Sequence, residues 1–209
     1  MTCARHIVKP IPLLARRYRW SGILREGPAS VCFPRCGRTA QRTDRILAER
    51  LARAAERGVR VRVLVDDANL QDRDAAVASF DAHPNIEVRL FNPFAQRKAR
   101  AGLHTKAIVF DRKDVFIGSF NLDARSSFIN TEAGLFIESP ELAAQVAAYM
   151  DEGVRLDNAY RVQLDPAGRL YWVTEDAGKE IPYDVNPLST PLQRLEAGWI
   201  RMLPIDDQL

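Results

Sequence analysis

Residues 103–138 carry the feature that most constrains this chain, a set of polar residues at fixed spacing within strand-like sequence. His104 and Lys106 stand two apart, so on a strand both side chains leave the same face of a sheet. An imidazole can act as a nucleophile, and a neighbouring ammonium offsets charge on phosphate oxygens. The pair therefore predicts attack on a phosphodiester.

A predicted hairpin adds further groups to this pair. Residues 103–111 and 115–119 have strand-like apolar patterns, and residues 111–114 connect them as a turn. The pairing would bring Ser119 and Asn121 near the imidazole as neutral hydrogen-bond donors to phosphate oxygens.

A third predicted strand, over residues 131–138, contains Glu132. Its carboxylate would lie behind the imidazole and fix the tautomer, as the acid of a catalytic triad does. Taken one at a time, these motifs are usually structural: H-x-K is typical of a solvated strand edge, and Asp111 of a turn. The complete set within about thirty residues favours a site.

Residues 39–91 predict alternating helices and strands. A helix with apolar residues at helical spacing ends near Gly58, and strands are predicted over 59–65 and 86–91, with a second helix around 75–80. This order predicts α/β layering and a partly parallel sheet.

The C-terminal part predicts one well-capped helix and a strand extension. Ser139, Pro140 and Glu141 suit the N-cap, the first helical position and the first turn. Further strands are predicted over 160–164, 169–174 and 180–185, and a last helix over 191–203.

Residues 1–38 show no clear periodicity and are interrupted by prolines, so we predict an irregular segment over 1–38 and one domain over 39–209. The apolar stretch at 7–15 has its arginines after it, which is the wrong order for a signal peptide. It fits either a basic membrane-surface segment or a loosely packed terminus. No run of eighteen apolar residues predicts a transmembrane helix.

Metal and cofactor chemistry is not favoured. Four potential zinc ligands, Cys3, His6, Cys32 and Cys36, lack a zinc-site context, and chemistry at His104 needs no metal. We therefore predict no metal and no cofactor.

Other polar groups have local explanations. Asp66 and Asp67 follow a strand and suit a helix cap, and His83 precedes a proline in a turn. The basic link at residues 96–102 is either a phosphate-facing loop or a solvated connector. A net charge of +3 is too small to indicate nucleic-acid binding by itself.

The polar set resembles the HKD motif of the phospholipase D superfamily, H-x-K-x4-D-x6-G-S-x-N. The matching residues are His104, Lys106, Asp111, Gly118, Ser119 and Asn121, followed by the acidic Glu132. The resemblance implies that His104, Lys106, Asp111 and Glu132 are catalytic and that Lys106, Ser119 and Asn121 bind the phosphate. The resemblance implies a mixed sheet flanked by helices, carrying one HKD half-domain. It also implies metal-independent phosphoryl transfer, in which one histidine becomes phosphorylated and a second protonates the leaving alcohol.

Longer stretches resemble bacterial ClsC-like cardiolipin synthases, which have two such motifs. Residues 41–67 and 81–94 resemble the part before their first motif, and the chain from residue 103 onward resembles their second half. The chain thus resembles an internally deleted form with a single motif, joined at about 97–102.

The resemblance implies phosphatidylglycerol or a similar phospholipid as substrate. It also implies a peripheral place in the bacterial cytoplasm or on the cytoplasmic face of the inner membrane. The mechanism needs two imidazoles, one to attack and one to protonate the leaving group, and a single motif supplies only one. A homodimer, which brings two motifs together, is therefore expected. A single-motif endonuclease and an inactive fragment stay open as alternatives, with nucleic acid less favoured.

Overall fold

The computed structural model describes residues 29–33, 41–65, 83–95, 103–121 and 131–192, with the backbone alone described for 29–33 and 41–48. Its strands are β1 Ala29–Phe33, β2 Val61–Val65, β3 Ile86–Phe91, β4 Ala107–Phe110, β5 Asp114–Gly118, β6 Gly134–Glu138, β7 Ala159–Leu164, β8 Leu170–Asp176 and β9 Lys179–Tyr183. Its helices are α1 Gln41–Glu56 and α2 Pro140–Gly153.

The strands of the described residues form one mixed sheet in the order β6-β5-β4-β1-β2-β3-β7-β8-β9. The three central strands β1, β2 and β3 are parallel. β4 joins β1 and β7 joins β3 in antiparallel pairings, and both outer parts continue as antiparallel meanders. The predicted α/β class, with a partly parallel sheet and flanking helices, is confirmed.

The prediction that residues 1–38 are irregular was wrong for β1. Ala29–Phe33 lies at the centre of the sheet, where Val31 pairs with Val63 of β2 on one side and Ile108 of β4 on the other. Its five residues include alanine and serine and follow Pro28, so they have no alternation to detect. A strand between two other strands of a sheet whose faces carry helices does not require alternation. The sheet therefore includes residues that precede position 39.

Helices cover both faces of the sheet. Leu51, Ala54 and Ala55 of α1 join one buried cluster with residues such as Val63 and Phe110. On the other face, Ala143, Ala147 and Met150 of α2 pack with Leu64, Val109 and Val115. Alternate residues of β4 therefore belong to different clusters, which explains why its pattern is continuously apolar.

The two helix ends follow the sequence signals. Gly58, after α1, has a φ of 92°, a conformation that costs glycine little. At the start of α2, Ser139 Oγ accepts a hydrogen bond from the Leu142 N–H, and Pro140 takes the first helical position. Both predicted caps are confirmed.

The strand at β3 has the predicted bounds, whereas others differ. The predicted strand over 103–111 is only Ala107–Phe110, and that over 131–138 is Gly134–Glu138. Predictions outside the described residues are the helix around 75–80, the helix over 191–203 beyond residue 192, the link at 96–102, the pair Asp66 and Asp67, and Cys3, His6 and Cys36.

An acidic pair near the β4–β5 turn makes stability depend on pH. Asp114 lies directly opposite Glu138 on β6. Burial raises the pKa of the Asp114 carboxyl, and the charges of Glu138 and Asp111 raise it further. The folded chain therefore holds this proton more tightly than the unfolded chain. Stability is lost as pH rises from the ordinary aspartate range through the raised pKa.

We expect Asp114→Asn to stabilise the chain at pH 7 by about 0.5 kcal/mol, the scale of opposed like charges on a sheet. The gain should vanish near pH 3, where carboxyls are protonated in both states. Urea unfolding across this pH range measures it. As a control, Asp157→Asn should lose stability at pH 7, because pairing with Arg155 lowers the Asp157 pKa. An Asp114→Asn gain that does not change with pH would contradict the account.

Candidate active site

With the exception of Asp111, the polar residues of the motif lie at or next to the sheet edge where the parallel strands end. Antiparallel pairing places Ala107, at the start of β4, beside Cys32, at the end of β1. The Gly118 N–H donates to the Lys106 carbonyl at 3.1 Å, so the end of β5 adjoins the residue before β4. In α/β sheets this carboxyl edge is the usual place for a ligand.

His104 and Lys106 are in contact just before β4. The Lys106 Nζ lies 3.2 Å from each of the His104 ring nitrogens and 3.2 Å from the His104 carbonyl oxygen. His104 is exposed, whereas Lys106 is buried with 7% of its surface accessible. A fixed cation therefore lies against an imidazole that solvent and substrate can reach.

Ser119 and Glu132 form the second part of the site. Ser119 Oγ donates to Glu132 Oε2 and accepts from the Ala133 N–H at 3.0 Å, while the Ser119 N–H donates to the Ala133 carbonyl at 2.8 Å. Three bonds thus fix the serine at the end of β5, and its single hydroxyl proton faces the Glu132 carboxylate.

Gly118 permits this close approach of β5 to β6. A Cβ atom at Gly118 would lie 2.5 Å from the Ala133 carbonyl oxygen and 2.8 Å from the Gly134 Cα, both backbone atoms. Such distances cannot be relieved by turning a side chain, so glycine is needed here for space.

We expect Gly118→Ala to lower the free energy of unfolding by about 1–3 kcal/mol, the usual cost of overpacking. Chemical denaturation measures it. Ser119→Ala is the matched control, because it removes the hydroxyl without adding atoms and should change stability by under about 1 kcal/mol. Equal stability of Gly118→Ala and the unmodified chain would show that the strands can separate here.

Asn121 and Phe120 continue the chain beyond Ser119. Both are half-buried, and Phe120 packs against the cluster on the α1 face. This contact anchors the backbone that carries Asn121 at the same sheet edge. Phe120 was not among the predicted site residues, although an aromatic residue inside a polar motif is a usable signal of an anchor.

Asp111 lies at the opposite end of the hairpin. It begins the β4–β5 turn, in which Asp111 and Arg112 have φ angles of 50° and 54° and the Lys113 N–H donates to the Phe110 carbonyl. The positive φ angles are those of a tight hairpin turn, which aspartate tolerates. At about 3.3 Å per residue, Asp111 is roughly 16 Å along the strand from Lys106. The structure does not bring it to the other motif residues.

Three groups that sequence reasoning missed help build the site. The Ala133 N–H and carbonyl both hydrogen-bond to Ser119. Gly134 leaves room for the Phe116 ring, which a Cβ atom at position 134 would approach to 2.5 Å. Leu103 is buried in the α2-face cluster and anchors the segment before His104. Backbone acceptors carry no sequence signal, but the glycines facing each other at 118 and 134 do.

The described residues contain no cluster of three or more His, Cys, Asp or Glu able to hold a metal ion. Within the same ranges, neither helix has the length and apolarity to span a bilayer.

A family model described as cardiolipin synthase, PLD-like domain, matches residues 30–153, more than half of the chain. The chain belongs to the phospholipase D superfamily. The match begins inside β1 and ends with α2, so it contains every residue of the candidate site. The resemblance inferred from the motif is thereby confirmed.

Similar proteins fall within this superfamily. Cardiolipin synthase C of Escherichia coli (strain K12) is 39% identical over 106 residues, which are 51% of this chain and 22% of that protein. Phospholipase D of Rickettsia felis is 34% identical over 101 residues, which are 48% of this chain and 47% of that protein. The chain thus matches only part of either relative.

The fold has a solved counterpart in Nuc from Salmonella typhimurium, described as a phospholipase D family member. The TM-score is 0.59 at 20% identity, over 77% of this chain and 99% of that chain. A single copy of the fold therefore accounts for that whole chain. This phospholipase D-like unit is also the part of the present chain that contains the site.

Proposed function

We propose that this phospholipase D-like chain is a phosphatidyltransferase of the cardiolipin-synthase type, with His104 as its nucleophile. The observation that carries the proposal is the contact between the exposed His104 imidazole and the buried Lys106 ammonium at 3.2 Å. The 39% identity to cardiolipin synthase C supports a phospholipid substrate such as phosphatidylglycerol. No metal or cofactor is needed for this chemistry.

In the first step a His104 ring nitrogen attacks the phosphorus of the phospholipid. The bond from phosphorus to the leaving alcohol breaks, and a second imidazole gives that alcohol its proton. In the second step an acceptor alcohol loses its proton to the same second imidazole and attacks phosphorus. The phosphorus–nitrogen bond breaks, and His104 is regenerated.

Three groups would hold the phosphate during these steps. The Lys106 ammonium offsets charge that builds up on the non-bridging oxygens, and Ser119 and Asn121 donate hydrogen bonds to them. Ser119 has a single hydroxyl proton; in this structure its Oγ donates a hydrogen bond to Glu132 Oε2 and also lies 3.3 Å from the Ala133 carbonyl oxygen. Donation to phosphate therefore requires that proton to turn away from Glu132, whose carboxylate is proposed to orient the imidazole. No catalytic part for Asp111 follows from its place in the turn, although the motif predicts one.

The second imidazole is proposed to be His104 of another copy of the chain. His83, the other histidine in the described residues, precedes β3 and so lies at the sheet edge opposite to the candidate site. The six residues of β3 separate it from that edge by about 20 Å. A symmetric dimer would instead bring two copies of His104 together. On this proposal the enzyme works as a homodimer, peripherally at the cytoplasmic face of the inner membrane.

Mixing subunits tests the dimer and the activity together. If each site uses two copies of His104, an equal mixture of unmodified and His104→Asn chains, unfolded and refolded together, should retain about one quarter of the activity. Independent sites would retain about one half, and that result would exclude a shared site. Light scattering on the same sample should give a dimer.

Parallel assays on phosphatidylglycerol vesicles and on DNA separate the substrate classes. Lipid turnover without DNA cleavage supports the proposal. Cleavage of DNA with a steep salt dependence and no lipid product would replace it with a phosphodiesterase acting on nucleic acid. A monomer inactive on both substrates would identify an inactive fragment of a two-motif synthase.

A further inference from the structure

Three arginines lie side by side on the α2 face of the sheet, away from the candidate active site. Arg89 of β3 is directly opposite Arg161 of β7, and Arg62 of β2 is opposite Glu87, two residues along β3 from Arg89. The neighbours Val88 and Leu90 point into the α1-face cluster. By alternation, Arg89 points to the other face.

Arg89 is buried, and its hydrogen bonding is incomplete. Only 9% of its surface is accessible, and its Nη2 donates to Glu87. Its Nε and Nη1 are buried and have no hydrogen-bond partner in the described part of the chain. Burial lowers the pKa of the Arg89 guanidinium, and Arg161 and Arg62 act in the same direction, whereas Glu87 opposes them. A buried cation with unsatisfied hydrogen-bond donors destabilises the folded protein unless an anion pairs with the charge and accepts hydrogen bonds from those donors.

Within the described ranges, carboxylates lie beside each of the three arginines. Glu87 pairs with Arg89, Asp151 with both Arg62 and Arg112, and Glu180 with Arg161. Arg161 is also held in position, because its Nε donates to Gln163 Oε1, which accepts a second bond from the Tyr171 hydroxyl.

The arginine group has a route to solvent. The side chains of Arg62 and Arg161 are 28% and 27% accessible, against 11% for Arg89 between them. An anion entering past the outer two would meet the unsatisfied nitrogens of the third. Guanidinium groups match the geometry of phosphate and carboxylate oxygens, so an oxyanion is the fitting ligand.

We propose that Arg89, flanked by Arg62 and Arg161, forms a second oxyanion site that binds a phosphate group, either free or on a lipid head group. It is distinct from the His104 site: it lies on the α2 face within the sheet, whereas the His104 site lies at the sheet edge, and β3 is three strands from β4, about 14 Å away. The inference does not depend on the proposed transferase activity.

Inorganic phosphate binding, measured by titration calorimetry on the full chain, tests the site. The background is Lys106→Met, which removes the cation of the His104 site. We expect this variant to bind one phosphate, and addition of Arg89→Met to weaken binding about 10- to 100-fold, as loss of a charge-assisted hydrogen bond does. Addition of Arg169→Gln, an 82% exposed arginine in a turn, should leave binding unchanged.

Folding of each variant is checked by circular dichroism. If Arg89→Met does not fold, Arg161→Gln replaces it, and the same weakening is expected. Absence of phosphate binding in the Lys106→Met background, or equal binding with and without Arg89, would overturn the proposal.

Vesicles separate the two sources of the phosphate group. If phosphatidylglycerol vesicles bind the Lys106→Met chain more than phosphatidylcholine vesicles do, and both Arg89→Met and free phosphate abolish the difference, the ligand is a head group. Phosphate binding without any vesicle preference assigns the site to free phosphate. Arg89-independent vesicle binding together with no phosphate binding would contradict the site altogether.

Discussion

Replacing His104 with asparagine is expected to lower phospholipid turnover at least about 10⁴-fold, because the nucleophile is lost and the other groups of a catalytic unit cannot substitute for it. Asparagine keeps a polar, planar side chain of smaller size, and His104 is exposed, so folding should be preserved. Steady-state turnover of phosphatidylglycerol, measured beside a thermal unfolding curve, checks both expectations.

His83→Asn is the matched control for this substitution. His83 is half-buried in the turn before β3, where its carbonyl accepts from the Ile86 N–H, and asparagine suits such a turn. Turnover by the His83→Asn variant should stay within about twofold of that of the unmodified chain, since His83 lies at the other sheet edge. Turnover in His104→Asn equal to that of the control would refute the assigned nucleophile.

Replacing Lys106 with methionine is expected to lower turnover about 10²- to 10³-fold, the usual effect of removing one group that stabilises transition-state charge. Methionine keeps an unbranched apolar stem, which suits a side chain that is 7% accessible. The loss should fall mainly on kcat, because charge on the phosphate oxygens increases in the transition state.

Lys113→Met is the control for net charge. Lys113 is exposed in the β4–β5 turn, at the far end of the hairpin from the site. The Lys113→Met substitution should leave kcat unchanged. If Lys106→Met raised KM alone, Lys106 would bind substrate without stabilising the transition state. If both lysine variants lost activity equally, the effect would belong to the overall charge of the chain.

Several elements were predictable because short-range signals determine them. The strand at β3 alternates from Ile86 to Leu90, and the helix caps at Gly58 and Ser139 depend on local chemistry. The contact between His104 and Lys106 follows from their spacing in an extended segment.

Other features depend on tertiary neighbours and gave no such signal. β1 is a strand because β2 and β4 flank it, and its own residues have no alternation. The bond from Ser119 to Glu132 depends on the approach of β5 to β6 at Gly118 and Gly134. Asp111 belongs to the motif in sequence but lies at the end of the β4–β5 hairpin away from the site. Each residue of an extended strand adds about 3.3 Å, so residues that are five apart in sequence lie far apart in space.

The most direct test of the central claim, that His104 becomes covalently phosphorylated, is mass spectrometry of chain quenched during turnover of phosphatidylglycerol. An acid-labile phosphatidyl adduct is expected on the peptide that contains His104, and no adduct is expected on the His104→Asn variant. An adduct on another residue, or steady turnover with no adduct on His104, would contradict it.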